Sequence, residues 1–96
     1  MKTDTQLRVI NIIREYRNDN DLSQAGLADI LGISYGMIGN IESPKFSHKY
    51  TISQLYKASE FFKIPFELIF MTEEEAKLSK RNVIDLLINK IIEYDR

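Results

Sequence analysis

Gly32 separates two runs that each begin and end as a short helix should, and a chain punctuated in this way has few ways to fold. The first run follows Ser23, whose hydroxyl can accept a bond from an otherwise unpaired backbone N–H at a helix start. Leu22 and Leu27 flank that cap at the spacing of a hydrophobic staple. Leu27, Ala28, Ile30 and Leu31 then share one apolar face, and Gly32 stands where a helix ends in the left-handed region. Two residues on, Ser34 can cap a second helix, with Ile33 and Ile38 repeating the staple. Two capped helices joined by so short a turn must cross steeply. The outer face of the second is then free to project, the geometry of a helix-turn-helix whose second helix enters the major groove of DNA.

The rest of the chain bounds this reading. Ninety-six residues, 44% of them hydrophobic, make one domain, marginally stable unless its core is efficient or it pairs with a copy of itself. No cysteine is present, which excludes disulfide staples and thiolate metal sites and fits a reducing compartment. The opening Met-Lys-Thr-Asp-Thr-Gln lacks the apolar centre of a signal peptide, and Phe61 to Met71 is interrupted by Lys63, Pro65 and Glu67. A cytoplasmic protein with no membrane partner is expected. Thirteen basic and fourteen acidic residues give a net charge of −1, low for a nucleic-acid binder. Between Ser43 and Lys63, however, four lysines (Lys45, Lys49, Lys57, Lys63) stand against one acid, Glu60. A local basic patch in a weak overall field implies a modest salt dependence of DNA binding.

Periodicity predicts a first helix over residues 5 to 18, with Val9, Ile10, Ile13 and Tyr16 on its buried side. A polar loop from Glu42 to Lys49 follows the third helix, and Thr51 or Ser53 starts a fourth in which Leu55, Ala58, Ser59 and Phe62 align. Pro65 suits the first turn of a short fifth helix ending near Phe70. Thr72 and Glu75 form a capping box for one last helix running to about Glu93. The fold class is all-α: a five-helix body over residues 1 to 71, and a C-terminal helical element over 72 to 96.

Across residues 5 to 71 the chain resembles the Cro/phage-repressor (XRE-like) helix-turn-helix family. Gln24 opens helix two, Ala28 is the small residue at the crossing, Gly32 is the turn, and Ile38, Ile41 and Glu42 close helix three. The Leu55, Ala58 and Phe62 pattern and the Pro65-Phe66-Glu67-Leu68-Ile69 ending also fit. The resemblance implies a lambda-repressor-like domain that binds double-stranded DNA. It also implies that Arg17, late in helix one, pairs with Glu42. Tyr35, Gly36, Gly39 and Asn40 stand where the family more often carries Gln, Arg, Ser and Thr, so the base-reading set is this chain's own.

With Ile38 and Ile41 buried, helix three (about residues 34 to 42) turns Tyr35, Gly36, Gly39, Asn40 and then Ser43 outward. Asn40 can bond bidentately to the N6/N7 edge of adenine, and Tyr35 can meet a thymine methyl or a phosphate. Both are otherwise solvated surface residues. Gly36 and Gly39 weaken a helix by about 1 kcal/mol each relative to alanine, a cost that a bare strip pressed against the groove would explain. Gln24 and Ser34 lie at helix N-termini, where phosphate oxygens bind, and Lys45 and Lys49 with His48 extend that grip.

The segment after Glu73 carries Val83, Ile84, Leu86, Leu87, Ile88, Ile91 and Ile92, more apolar surface than a free helix exposes. It either completes the core of its own chain or packs against a second copy, and a homodimer on a near-palindromic operator is the expected state. Gly32-Ile33-Ser34-Tyr35-Gly36 matches a nucleophile-elbow pattern, but a helix precedes it where a strand is required. No catalytic, metal or cofactor motif stands out, so neither enzymatic activity, a cofactor nor a small-molecule ligand is expected. The function read from the sequence is a DNA-binding transcriptional repressor. The alternative is a protein-interaction module or antitoxin-type protein with a toxin-like partner.

Overall fold

Six of the seven helices start on a serine or threonine hydroxyl that accepts a bond from the N–H three residues on. In the computed structural model, which describes residues 1–96, these helices are α1 (Asp4–Asp19), α2 (Gln24–Leu31), α3 (Tyr35–Glu42), α4 (Ile52–Phe62), α5 (Glu67–Phe70), α6 (Glu73–Ala76) and α7 (Lys80–Asp95). The fold is all-α. Ser23 and Ser34 cap α2 and α3 as expected, and Thr51, not Ser53, caps α4 in a capping box with Gln54. Thr3 and Gln6 form a further capping box on α1.

Gly32 lies in the left-handed region at φ 71° and donates to Asp29 O, while Ile33 N–H reaches back to Ala28 O at 3.0 Å. That pair of bonds closes α2 and turns the chain within two residues. The apolar residues ahead of the two caps, Leu22 and Ile33, pack on the core. That core joins Val9, Ile10 and Ile13 of α1 to Leu27, Ala28 and Leu31 of α2, Ile38 and Ile41 of α3, Leu55 and Ala58 of α4, and Ile69 and Phe70 of α5.

The expected single helix after Thr72 is instead two. Thr72 and Glu75 cap one turn, the chain bends through Lys77 and Leu78, and the Ser79 hydroxyl starts α7 by accepting from Asn82 N–H at 3.4 Å. An unbroken rod over 73–93 would be about 30 Å long and could not turn back. The bend lets α7 lie against α1 and α5, so the segment completes the core of its own chain. Leu87 and Ile91 are half-buried there, and Tyr94 is fully buried. The Tyr94 ring meets Phe70 edge-on at 5.9 Å, and its hydroxyl donates to Tyr50 O at 2.7 Å. Its carbonyl accepts from Gln6 Nε2 at 2.8 Å and from Lys49 Nζ at 3.1 Å, so side chains cap the open end of α7.

A second tie fixes the helix-turn-helix on α1. Arg17 Nε donates to Glu42 Oε2 at 2.9 Å and Arg17 Nη2 to Glu42 Oε1 at 3.0 Å, a two-pronged pair implied by the resemblance. Arg17 Nη1 also donates to Leu22 O at 2.9 Å, and Gln24 Nε2 to Glu42 Oε1 at 3.0 Å. One buried carboxylate at the end of α3 thereby holds the end of α1 and the start of α2. The Glu42 side chain is only 4% exposed, so removing its partner strands a charge.

We expect Arg17→Ala to lower stability by about 3–5 kcal/mol in urea denaturation. A variant with wild-type melting would contradict the pairing. Burial pushes the pKa of both Tyr50 and Tyr94 above the ordinary tyrosine value. The folded state then holds protons that the unfolded chain releases. Stability is complete below about pH 10, where an unfolded tyrosine ionises, and falls as pH rises beyond it. Tyr50→Phe and Tyr94→Phe should each flatten that alkaline loss. At neutral pH they should differ. The Tyr50 hydroxyl meets no hydrogen-bond partner within the chain, so its removal should cost less than Tyr94→Phe, which should cost about 1–2 kcal/mol. Equal costs for the two would refute this assignment.

Candidate nucleic-acid interface

α3 is eight residues long and apolar on the side that meets the core, where Ile38 is 0% and Ile41 1% exposed. At 3.6 residues per turn, Gly36, Gly39, Asn40 and Ser43 then form one outward strip. Gly36 is exposed, Gly39, Asn40 and Ser43 are half-buried, and Tyr35 stands 63% exposed at the N-terminal end. The Asn40 side chain makes no hydrogen bond within the chain, so its amide keeps both the donor and the acceptor that a base edge requires. A methyl group built on Gly36 meets no atom within 4 Å, and one on Gly39 meets only Gln24 Oε1 at 3.9 Å. Neither glycine is demanded by packing. The terminal helix does not cover this face: it packs on α1 and α5.

The phosphate-gripping candidates divide. The Ser34 hydroxyl accepts from Met37 N–H at 3.2 Å, which leaves its own hydrogen free to donate outward. Lys45 is exposed in the loop after α3, its N–H donating to Ser43 Oγ at 3.3 Å. Gln24 is half-buried, and its amide nitrogen is taken by Glu42. Lys49 turns inward. Its ammonium donates to Tyr94 O and sits 5.5 Å from the Tyr94 ring centre. The lysine excess expected around this face is therefore thinner in space than in sequence. Lys63 ends α4 in the left-handed region, φ 58°, about 16 Å along that helix from its start.

A shallow groove of about 440 Å³ lies between the starts of α3 and α4, lined in part by Ser34, Met37, His48, Thr51 and Gln54. Thr51 and Gln54 are donors here; the sequence reading takes Thr51 only as a possible helix start and does not single out Gln54. Thr51 Oγ accepts from Gln54 N–H at 3.1 Å and Gln54 Oε1 from Thr51 N–H at 2.9 Å, leaving the hydroxyl hydrogen and the Gln54 amide hydrogens unspent.

Lys2 was missed altogether. Its ammonium, on a residue only 8% exposed, donates to Asn40 O at 3.3 Å, to Ser43 O at 2.6 Å and to Phe46 O. A positive charge at the C-terminal end of α3 complements the helix dipole and holds the following loop. Burial lowers the Lys2 ammonium below its ordinary value. Nothing in a lysine at position 2 signals this from sequence, because it reads as a solvated terminal residue.

Ser34 has an unstrained extended backbone, φ −73°, ψ 151°, unlike the strained serine of a nucleophile elbow. His48, the sole histidine, is exposed in the loop with its ring 6.0 Å from that of Phe46. No group of three or more His, Cys, Asp or Glu side chains is placed to hold a metal ion, and no helix is long and apolar enough to cross a membrane.

A helix-turn-helix family model of the Cro/C1, XRE-like type matches residues 13–69, more than half of the chain. No curated protein and no solved structure gives a significant match. The matched span runs from the middle of α1 into α5 and contains the Gly32 turn, the Arg17–Glu42 pair and the whole outward strip of α3. The chain belongs to the Cro/C1-type helix-turn-helix family of DNA-binding regulators.

Proposed function

We propose that the protein is a transcriptional repressor that binds a near-palindromic operator as a homodimer, with α3 of each copy in the major groove. The observation that carries this reading is the outward strip of α3, where an unengaged Asn40 amide sits beside two glycines that packing does not require. Asn40 reads adenine through its N6/N7 edge, a contact worth roughly 1–3 kcal/mol of discrimination. Tyr35 lies against a thymine methyl or the flanking phosphate. Gly36 and Gly39 let the helix backbone approach the groove wall. Ser34, Thr51 and Gln54 donate to phosphate oxygens beside the starts of α3 and α4, and Lys45 adds charge at the other end of the strip. With Lys49 engaged by Tyr94 and a net charge of −1, the electrostatic share of binding is small.

Selection of bound sequences from a random DNA pool tests this directly. Enrichment of paired, inverted half-sites spaced by about one helical turn is the expected result. No enrichment, together with a salt slope near zero on random duplex, would overturn it in favour of a protein-binding role. Gly36→Ala and Gly39→Ala should raise stability by up to about 1 kcal/mol each while weakening operator binding. Unchanged affinity would remove the bare-strip explanation. Lys45→Ala should weaken binding to operator and random DNA alike and lower the salt slope by about one, read by fluorescence anisotropy across a salt series. A shift in sequence preference would contradict its phosphate role.

A further inference from the structure

α7 has two apolar faces, and the fold uses one of them. Leu87, Ile91 and Tyr94 pack on the core, while Ile84, Ile88 and Ile92 stay 47%, 50% and 51% exposed. These three form a continuous i, i+4, i+8 ridge. Seven residues before Ile88 stands Arg81, and seven residues after it stands Asp95. At about 100° per residue all five fall within an arc of about 80°. Both charged side chains are exposed, and neither takes part in the ion pairs of the chain, which join Arg8 to Glu75 and Arg14 and Arg17 to Glu42.

We propose that this face docks a second copy of the chain, antiparallel, about a two-fold axis through Ile88. The occupant follows from the order of residues along the ridge. Reversing the helix about Ile88 sets Ile84 against the partner's Ile92, Ile88 against its own counterpart, and Arg81 against the partner's Asp95. Apolar meets apolar, and each charge meets its opposite, twice. A parallel pairing would set arginine on arginine and aspartate on aspartate. A slip of one turn would set an isoleucine against a charge. A face that matches itself only when reversed is what an isologous contact requires. Lys80 and Arg96 approach at the outer ends, where both long side chains reach solvent. The ridge is narrow, so the free dimer dissociates on dilution, and two adjacent half-sites hold it together by raising the effective concentration.

This surface deepens the homodimer reading above, and it is measured without DNA. Sedimentation equilibrium of the full chain should show a reversible monomer–dimer equilibrium. Ile88→Glu, which sets two carboxylates together on the axis, should be monomeric while melting like the dilute wild type, since Ile88 is half exposed. Arg81→Asp and Asp95→Arg should each weaken self-association about tenfold or more. An equimolar mixture of those two variants should recover wild-type affinity, because the mixed pair has two complementary contacts where each pure pair has none. A wild type that stays monomeric at high concentration, an Ile88→Glu variant that dimerises normally, or a mixture no tighter than its components would each overturn the proposal. Paired half-sites from the DNA selection alongside any of those results would leave the operator reading standing and remove this surface alone.

Discussion

The buried carboxylate of Glu42 is the contact on which the rest of the molecule depends. It ends α3, and it is held by both prongs of Arg17 from α1 and by the Gln24 amide at the start of α2. Three helices thus share one charged centre whose hydrogen-bonding capacity is largely filled. Such a centre is directional in a way that apolar packing is not. Ile38 and Ile41 decide that α3 is buried on one side, and Glu42 fixes its rotation and axial position. The outward strip of Gly36, Gly39, Asn40 and Ser43 is a consequence of that setting. Lys2 adds a second restraint at the same end, tying the last turn of α3 to the loop that carries Lys45.

Much of this was legible because the signals are local. Ser23, Gly32 and Ser34 act on neighbours within four residues, and the side chains that cap α2 and α3 are the ones their spacing implied. The apolar positions of α1 and α2 follow helical period. The Arg17–Glu42 pair spans 25 residues and was reached through family resemblance, not through spacing. What sequence did not disclose are long-range polar contacts: Lys2 on the α3 end, Lys49 on Tyr94, and Tyr94 on Tyr50. A lysine looks the same in a linear reading whether its ammonium meets water, a phosphate or a carbonyl. The expected rod after Thr72 is broken at Lys77 and Leu78 by a signal that is local: the Ser79 hydroxyl caps a new helix, which carries Tyr94 into the core.

The question of whether the C-terminal segment packs on its own chain or on another copy divides by face. The Leu87, Ile91 and Tyr94 side belongs to the core. The Ile84, Ile88 and Ile92 side does not, and leaving three half-exposed isoleucines on a helix of 16 residues is costly in water. The glycines of α3 show the same economy in reverse. Two positions that alanine would stabilise are left bare on the side turned away from the core. In both places the sequence gives up stability at a surface, and in both the surface has a shape that suits a contact.

The claim that α3 presents its Gly36–Asn40 side to DNA is most directly tested by following backbone amide resonances during titration with a duplex carrying a selected site. The account predicts the largest shifts at Ser34 to Asn40 and in the loop at Lys45, with α1 and the core face of α7 little changed. Shifts concentrated elsewhere, with α3 unmoved at saturation, would contradict it.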